Sequence, residues 1–554
     1  MLILENTRLT KLIMNYKRPL LSFLLLGIGL TNAIAQTPSE NSAAAAKLRQ
    51  QIQTGDFEIS NYNTACYLAL MGDRDFAFAY LKKAVSEDGF SNLKTIQNDS
   101  DLNLLHDDPR WAAMLAQVEA NNSASKKLQA KYFNQESFWN GQALKTAYKA
   151  ELSEDEKVAG LSKFWSEAKY NFVNFDLVPE LDFDSLYLAY LPKVKESKST
   201  IDYYKVMAQF CAQLRDGHTN VNPPEELYNQ VYSRPLLRTR LIEDKVIVID
   251  VFDPALKQQA IKVGQEVLTV NGMPVKAYAA KYVTPYQSAS TPQDQKVRAF
   301  EYALFTGDLN EEIKLELKEA SGRQTTQTIK RVTPESRSAY IKSSPFEYKM
   351  LKGNIAYVAL NAFDTDSAAK AFAKHYPEIS KADGIIFDVR NNGGGNSSVG
   401  WDILSYLVKE SSLINKWYTR EYKPSYRAWR NTQNVFGGGN TLRPNTKFHY
   451  DKPVVVLTGP KTFSAAEDFA AAFKSVKRGQ VIGMASGGSS GQPLMISLPG
   501  NLSARICTKR DQLPDGTDFV GVGILPDVEV AQTVADFRKG VDTELQLALK
   551  TLKN

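Results

Sequence analysis

The residues of this chain whose types and spacing could do chemistry are a serine, a glycine run and a histidine. Ser464 stands in KPVVVLTGPKTFSAAEDFAAAFKS, residues 452–475. Val454 to Leu457 is a short apolar run of β-branched character, which predicts a strand buried on both faces. Gly459, Pro460 and Thr462 break it, and Ala465, Phe469, Ala472 and Phe473 then recur at helical spacing. The hydroxyl therefore sits where a strand turns into a helix and the first backbone N–H groups lack partners. Ser464 and Glu467 also have capping-box spacing, so the serine has a structural reading beside the nucleophilic one.

The second feature is Arg390-Asn-Asn-Gly-Gly-Gly-Asn396, directly after Gly384–Val389, which reads as a second buried strand. Glycines behind a strand free backbone N–H groups to converge on an anion. Phosphate binding fits poorly, because the pattern is not GxGxxG and no Walker lysine or ribose-binding acid is in place. An oxyanion hole beside a serine fits better: one donor from Gly394 or Gly395, the other from Ala465. The third feature is His218 in Arg215-Asp216-Gly217-His218-Thr219. Gly217 can end the preceding helix in a left-handed conformation and leave the histidine on the exit turn.

These features need elements to position them. From 353 onward strands and helices alternate, as in a layered, largely parallel sheet whose ligands collect at the C-terminal strand ends. Both the glycine run and Ser464 fall just past strand ends. Residues 235–333 change character: Val246–Val251, the Asn271-Gly272 hairpin signal, Glu312–Leu317 and Thr326–Arg331 make a small β-rich unit. Residues 128–215 read as helical, with Ser153 capping a helix that buries Val158, Leu161, Phe164 and Trp165. An αα-hairpin is predicted over 57–85, with Met71-Gly72-Asp73 as its turn. EANNSASKK, 119–127, is polar and reads as a linker.

At 554 residues and 43% hydrophobic, the chain calls for several domains. Lys17, Arg18, the apolar run Leu20–Leu30 and Ala33-Ile34-Ala35 read as a secretory leader spanning 1–35 rather than a membrane span. Its removal deletes four basic residues and one acidic residue and takes the charge from +6 to +3, which gives no argument for nucleic acid. Cys66, Cys211 and Cys507 neither staple the fold nor make a zinc site. The four histidines, without HExxH or close pairing, argue against a metal. No cofactor or metal is expected.

Five ordered segments carry a resemblance: RDGHT with His218, DVRNNGGG (388–395), TFSAAE with Ser464, GSSGQ (488–492) and GVGILPD (521–527). Together they resemble the C-terminal processing proteases, in the tricorn-core branch to which interphotoreceptor retinoid-binding protein is related. The resemblance spans roughly 130–535. It implies a multidomain α/β fold: a layered serine-protease core with an inserted PDZ-like β domain and N-terminal helical regions. The 57–85 hairpin resembles one tetratricopeptide-type repeat. The expected division is a leader at 1–35, a helical tetratricopeptide-like module at 36–118 and a linker at 119–127. The helical part carrying His218 is 128–234, the PDZ-like domain 235–333, the catalytic core 345–535 and a C-terminal helix 536–554.

Within that family one branch activates its serine with a lysine about 25 residues later. Here the neighbourhood is Gly487-Gly-Ser-Ser-Gly-Gln492, without a lysine. The other branch uses a histidine from the helical region, which His218 matches. The resemblance thus implies His218 as the base for Ser464. It also implies an acid about 58 residues after the serine. Val522 stands at that count, and Asp518, four residues earlier, is the expected partner, with Glu467 as the alternative. Ala465, where the branch tends to carry an aspartate, predicts no strong preference for a basic P1 residue.

The implied function is an exported serine endopeptidase or processing peptidase, periplasmic or extracellular, acting on peptides or unfolded proteins. No nucleic-acid partner and no stable membrane insertion after leader cleavage are expected, and the oligomeric state is left open. The alternatives are a non-catalytic peptide or hydrophobic-ligand binding protein on the same fold, and an esterase or thioesterase using the same residues.

Overall fold

The computed structural model describes residues 60–132, 139, 141–341 and 344–553. The predicted leader at 1–35 lies outside them. The chain divides between Trp139 and Asn140 into two compact units. No helix among the described residues is long and apolar enough to cross a membrane.

In the first unit, helices Asn61–Leu70 and Arg74–Ser86 form the expected hairpin. Ser60 and Asp73 cap them through their side chains, and Gly72 takes the left-handed conformation the tight turn needs. Leu68, Leu81, Ile96, Leu102 and Leu105 are their fully buried contacts. The reading of 119–127 as a linker is corrected: the segment lies within one helix, Arg110–Tyr132. It holds neither glycine nor proline, so nothing in it opposes helix. Asn121 anchors it, donating from Nδ2 to the carbonyls of Val85 (2.7 Å) and Phe90 (3.0 Å). Polarity alone does not separate a linker from a solvated helix.

The second unit begins with helices Glu154–Asn171, Phe183–Glu196 and Thr200–Ala212. A reciprocal capping box of Ser153 and Glu156 starts the first. Phe164, Tyr203 and Phe210 of this layer pack on Ala504 and Ile506, far away in sequence. These two belong to the strand Ser503–Cys507, which pairs antiparallel with Asn220–Asn222, just past His218. That pairing fastens the histidine turn to the C-terminal half of the chain.

An antiparallel sheet follows, in the order Leu237–Ile242, Lys245–Val251, Glu266–Val270, Ile313–Lys318 and Gln324–Ile329. Asn271 takes positive φ at its tight turn, as the Asn-Gly signal predicts.

The central sheet has six strands. In order they are Val528–Glu529, Gln480–Gly483, Val454–Thr458, Gly384–Asp388, Ile355–Leu360 and Phe346–Leu351. All pair in parallel except the last. Helices Ser367–Ile379, Ser397–Leu404 and Ala465–Ser475 bury Phe372, Ile403, Phe469 and Phe473 on one face. The other face receives Ala548 and neighbouring leucines of helix Thr543–Thr551. Strands covered on both sides account for their unbroken apolar runs. A continuous helix over 536–554 is not observed. A short helix, Val534–Arg538, ends at a left-handed Gly540 before Thr543–Thr551 begins.

Arg390 ties that terminal helix to the sheet. Its guanidinium donates to Asp388, Asp542 and Glu544 at 2.6–3.1 Å, and Tyr357 Oη donates to Asp388 at 2.7 Å. Removing it leaves three carboxylates without their shared cation. Arg390→Ala is therefore expected to lower stability by about 3 kcal/mol and to expose residues 530–553 to limited proteolysis. Unchanged denaturant unfolding and an uncut tail would contradict this.

Candidate active site

Ser464 caps helix Ala465–Ser475 with φ +55° and ψ −125°. A non-glycine residue in this region is strained by about 1–3 kcal/mol and persists only where its surroundings fix it. Here they do. The Ser464 N–H donates to the carbonyl of Ser489 (3.1 Å) and to Glu467 Oε2 (3.0 Å). Phe463 N–H donates to Asn392 O (3.0 Å), and Thr462 Oγ1 donates to Val389 O (2.9 Å). The strained turn projects Oγ away from the helix, as in nucleophile elbows, without their G-x-S-x-G sequence. Glu467 supplies the expected half of the capping box by accepting from the Ser464 N–H.

Ser464 Oγ lies 3.0 Å from His218 Nε2, across 246 residues of sequence. The histidine is buried, while the serine is partly exposed. Asp216 shapes its turn: Oδ1 accepts from the His218 N–H and from Thr219 Oγ1, both at 2.9 Å, and Oδ2 accepts from Asn174 Nδ2. The left-handed residue of this turn is Arg215, not Gly217 as the sequence suggested. Gly217 serves close approach, since a Cβ there would lie 2.8 Å from the Phe463 ring. That ring stacks on the imidazole, with centroids 4.8 Å apart.

The other imidazole nitrogen, Nδ1, meets Ser489 Oγ at 2.8 Å. Neither carboxylate named from the sequence touches the ring. Asp518 instead accepts from Arg510 (2.7 Å) and from Gln512 Nε2 (2.8 Å), so the expectation that it pairs with His218 is corrected. It borders the Arg510 strand, where a guanidinium claims it. Glu467 is fully buried and accepts from Ser486 Oγ (2.6 Å), Gly488 N (2.7 Å), Ser489 N (2.9 Å) and Ser464 N. It clamps the 486–489 loop onto the start of the serine helix. Burial pushes its carboxyl up to about 7, against the opposite pull of those donors.

Burial, reinforced by the positive charges of Arg505, Arg298 and Lys509, draws the His218 imidazole down to about 3. It is neutral at pH 7. With Nε2 accepting from the serine hydroxyl, Nδ1 carries the proton and donates to Ser489 Oγ.

The glycine run divides its duties. Gly394 N–H is engaged by Asn392 Oδ1 at 2.8 Å, so the sequence expectation of this N–H as a free donor is corrected. Its service is steric: at φ +101°, a Cβ there would lie 2.6 Å from Ser464 Cβ and 3.0 Å from Ala465 N. The N–H groups of Gly395 and Ala465 have no acceptor among the described residues. Lys474 and Lys509 are engaged by Asp527 and Asp511.

The sequence reasoning overlooked Ser489. A signal was present, since it stands 25 residues after Ser464, the separation at which the resembled family's other branch places its lysine.

Residues 354–530 match the profile of peptidase family S41. The chain is 29% identical over 181 residues to the C-terminal processing peptidase, chloroplastic, of Tetradesmus obliquus, covering 32% of this chain and 36% of that one. It is 27% identical over 203 residues to the carboxyl-terminal-processing protease of Synechocystis sp., covering 36% of this chain and 44% of the relative. The matched stretches thus span less than half the length of these relatives. In structure it is similar to mature CPAF complexed with lactacystin, with a TM-score of 0.57 at 14% identity, covering 72% of this chain and 99% of that one. Residues 354–530, which carry the glycine run, Ser464 and Ser489, are thus similar to peptidase family S41.

Proposed function

We propose that this protein is a serine peptidase that cleaves peptides or unfolded proteins with Ser464 as nucleophile and His218 as base. The observation that carries the reading is the 3.0 Å approach of Ser464 Oγ to a buried, neutral imidazole nitrogen. His218 Nε2 takes the hydroxyl proton as Oγ bonds to the peptide carbonyl carbon. The resulting oxyanion accepts from Ala465 N–H and Gly395 N–H. Collapse breaks the C–N bond, and the imidazolium returns its proton to the leaving amine. Water, deprotonated by the same nitrogen, then hydrolyses the acyl ester and regenerates Ser464.

Ser489 takes the place of the carboxylate expected beside the base. Its hydroxyl accepts from Nδ1–H and fixes the tautomer, and Glu467 is a positioning residue that holds the Ser489 loop. A hydroxyl brings no negative charge, so the imidazolium is stabilised less than beside an acid.

The finer assignments belong to the same proposal. The first-unit hairpin is a tetratricopeptide-like docking piece, and the 237–329 sheet is a PDZ-like insert in a helical and α/β protease. The leader at 1–35 directs export to the periplasm or beyond. The edge strand Leu237–Ile242 is the one a substrate tail would join. The segment Arg298–Tyr302 lies along it, with Thr239 donating to Phe300 O at 2.5 Å and Arg240 paired with Glu301. A tail would have to displace or flank that segment. A purely binding role is not favoured, because a ligand-holding site has no need of the serine–histidine contact.

Ser464→Ala is expected to abolish hydrolysis of an unfolded protein such as casein, and His218→Ala to reduce kcat by at least about 100-fold; near-normal rates in either would contradict the mechanism. Ser489→Ala should lower kcat roughly 10- to 100-fold with KM little changed, and Ser489→Asp should move the acid limb of kcat/KM upward. An unmoved acid limb in the Asp variant would contradict its contact with the base.

The pH behaviour follows from the depressed imidazole. Because the folded state resists protonation of His218 between its ordinary 6.5 and about 3, the acid limb should fall well below 6.5. Stability from this group is present above 6.5 and is lost as pH falls toward 3. Glu467, raised from 4.5 to about 7, has the opposite sign: its contribution is full below 4.5 and lost as pH rises through 7. An acid limb centred at 6.5 in the wild type would contradict the burial argument.

A further inference from the structure

Helix Thr200–Ala212 and strand Asn220–Asn222 line one side of a cavity of about 1070 Å3. Val270 of the antiparallel sheet, with Met273 and Tyr278 after it, lines another. The cavity backs onto the histidine turn. Ser288 and Arg298, both in its lining, donate to Asp216 O (2.8 Å) and Gly217 O (3.2 Å).

The charges around this cavity do not balance. Four arginines and Lys205 line it, against Asp308 and Glu311. Two of the arginines are engaged: Arg298 is paired with Asp294, and Arg331 donates to the carbonyls of Phe305, Asp308 and Glu311. The other two, Arg234 and Arg337, face no acid. Arg234 donates from Nη1 to Tyr302 O (2.7 Å) and makes no ion pair among the described residues. Arg337, on the short helix Pro334–Tyr340, has neither kind of contact among them, and its Nε is sealed from solvent without a partner. Their surroundings are positive as well. Burial, with the charges of Arg337 and Arg238, draws Arg234 down to about 10, and burial with Arg238 does the same to Arg337. Arg238 already has Asp250. Half-buried cations with no facing anion are costly, and a sealed guanidinium nitrogen calls for an acceptor.

We infer that this cavity is a docking site for an acidic side chain of a peptide, held by Arg234 and Arg337. The choice of a peptide rests on the peptidase reading above. The choice of a carboxylate rests on the guanidiniums, whose planar forks match one in two parallel hydrogen bonds. A free chain terminus fits less well, because termini are captured by open backbone N–H groups. Here the N–H groups of Arg234, Val332 and Arg337 are all taken by carbonyls, at 3.0–3.2 Å. The walls suit the rest of the peptide. Seven tyrosines, Tyr204, Tyr232 and Tyr302 among them, offer apolar ring faces with a hydroxyl at the edge. A small inorganic anion would leave those rings and most of the volume to water.

The test is calorimetric titration of the intact protein carrying Ser464→Ala, so that nothing is cleaved. The probes are three hexapeptides: alternating glutamate and leucine with both ends blocked, its blocked glutamine counterpart, and the glutamine peptide with a free C-terminal carboxylate. The glutamate peptide should bind at least about 10-fold more tightly than either of the others. Arg337→Gln and Arg234→Gln, each added to the same background, should each remove most of that preference. Thermal unfolding matching the parent establishes that a variant is folded. Equal affinity for the blocked glutamine peptide, or a preference that survives in the folded arginine variants, would overturn the inference. So would a free terminus that binds as tightly as the glutamate peptide. The titration reads binding alone, which separates a failure of this site from a failure of the Ser464 chemistry.

Discussion

The site depends on one buried carboxylate. Glu467 collects donors from the backbone of Ser464, the proposed nucleophile, from Ser486 and from the Gly488 and Ser489 amides. These groups come from two segments that follow the paired strands Val454–Thr458 and Gln480–Gly483 of the central sheet. Without their shared acceptor, the 486–489 loop would leave several buried N–H groups unpaired and Ser464 would lose part of what holds it at positive φ. The capping residue read from the sequence is thus a keystone: the same contact that starts a helix also fixes the loop that carries the histidine's partner.

Around that keystone the electrostatics are unusual for a serine–histidine pair. No carboxylate meets the imidazole, and Arg505, Arg298 and Lys509 bias it toward neutrality. Asp216, the nearest acid in sequence, spends its oxygens on the turn rather than on the ring. A neutral base is available over a wide pH range, at the cost of a less stabilised imidazolium in the transition state. Close behind lies a second acidic cluster: Ser490 Oγ is within reach of both Asp468 (2.9 Å) and Asp511 (3.0 Å), which are buried together, with Lys509 beside Asp511. One hydroxyl proton cannot serve both acids, and burial, reinforced by the neighbouring Asp511, raises the Asp468 carboxyl above the usual carboxylate range.

Much of the scaffold was legible because buried parallel strands leave unmistakable runs: Val454–Leu457 and Gly384–Val389 became adjacent strands, with the glycine loop and Ser464 at the same end of the sheet. His218 was legible through its motif, and its contact with Ser464 follows from a fold that neither local sequence contains. The acid was not legible. Counting residues fell on Val522 and made Asp518, four residues earlier, the nearby acid, yet a count along the chain does not register Arg510 competing for it. Ser489 was overlooked although its separation of 25 residues from Ser464 was visible, because a search for a lysine at that place passes over a hydroxyl. The misplaced linker at 119–127 has a different cause: Asn121 seats the helix through two long-range carbonyl contacts that composition does not encode.

The most direct test of the central claim is covalent trapping of the intact protein with a fluorophosphonate, followed by mapping of the modified peptide. The account predicts a single adduct on Ser464 in the wild type, at a rate sharply reduced in His218→Ala and partly reduced in Ser489→Ala. An unlabelled wild-type protein, an adduct on a different serine, or labelling of Ser464 that is indifferent to His218 would contradict it.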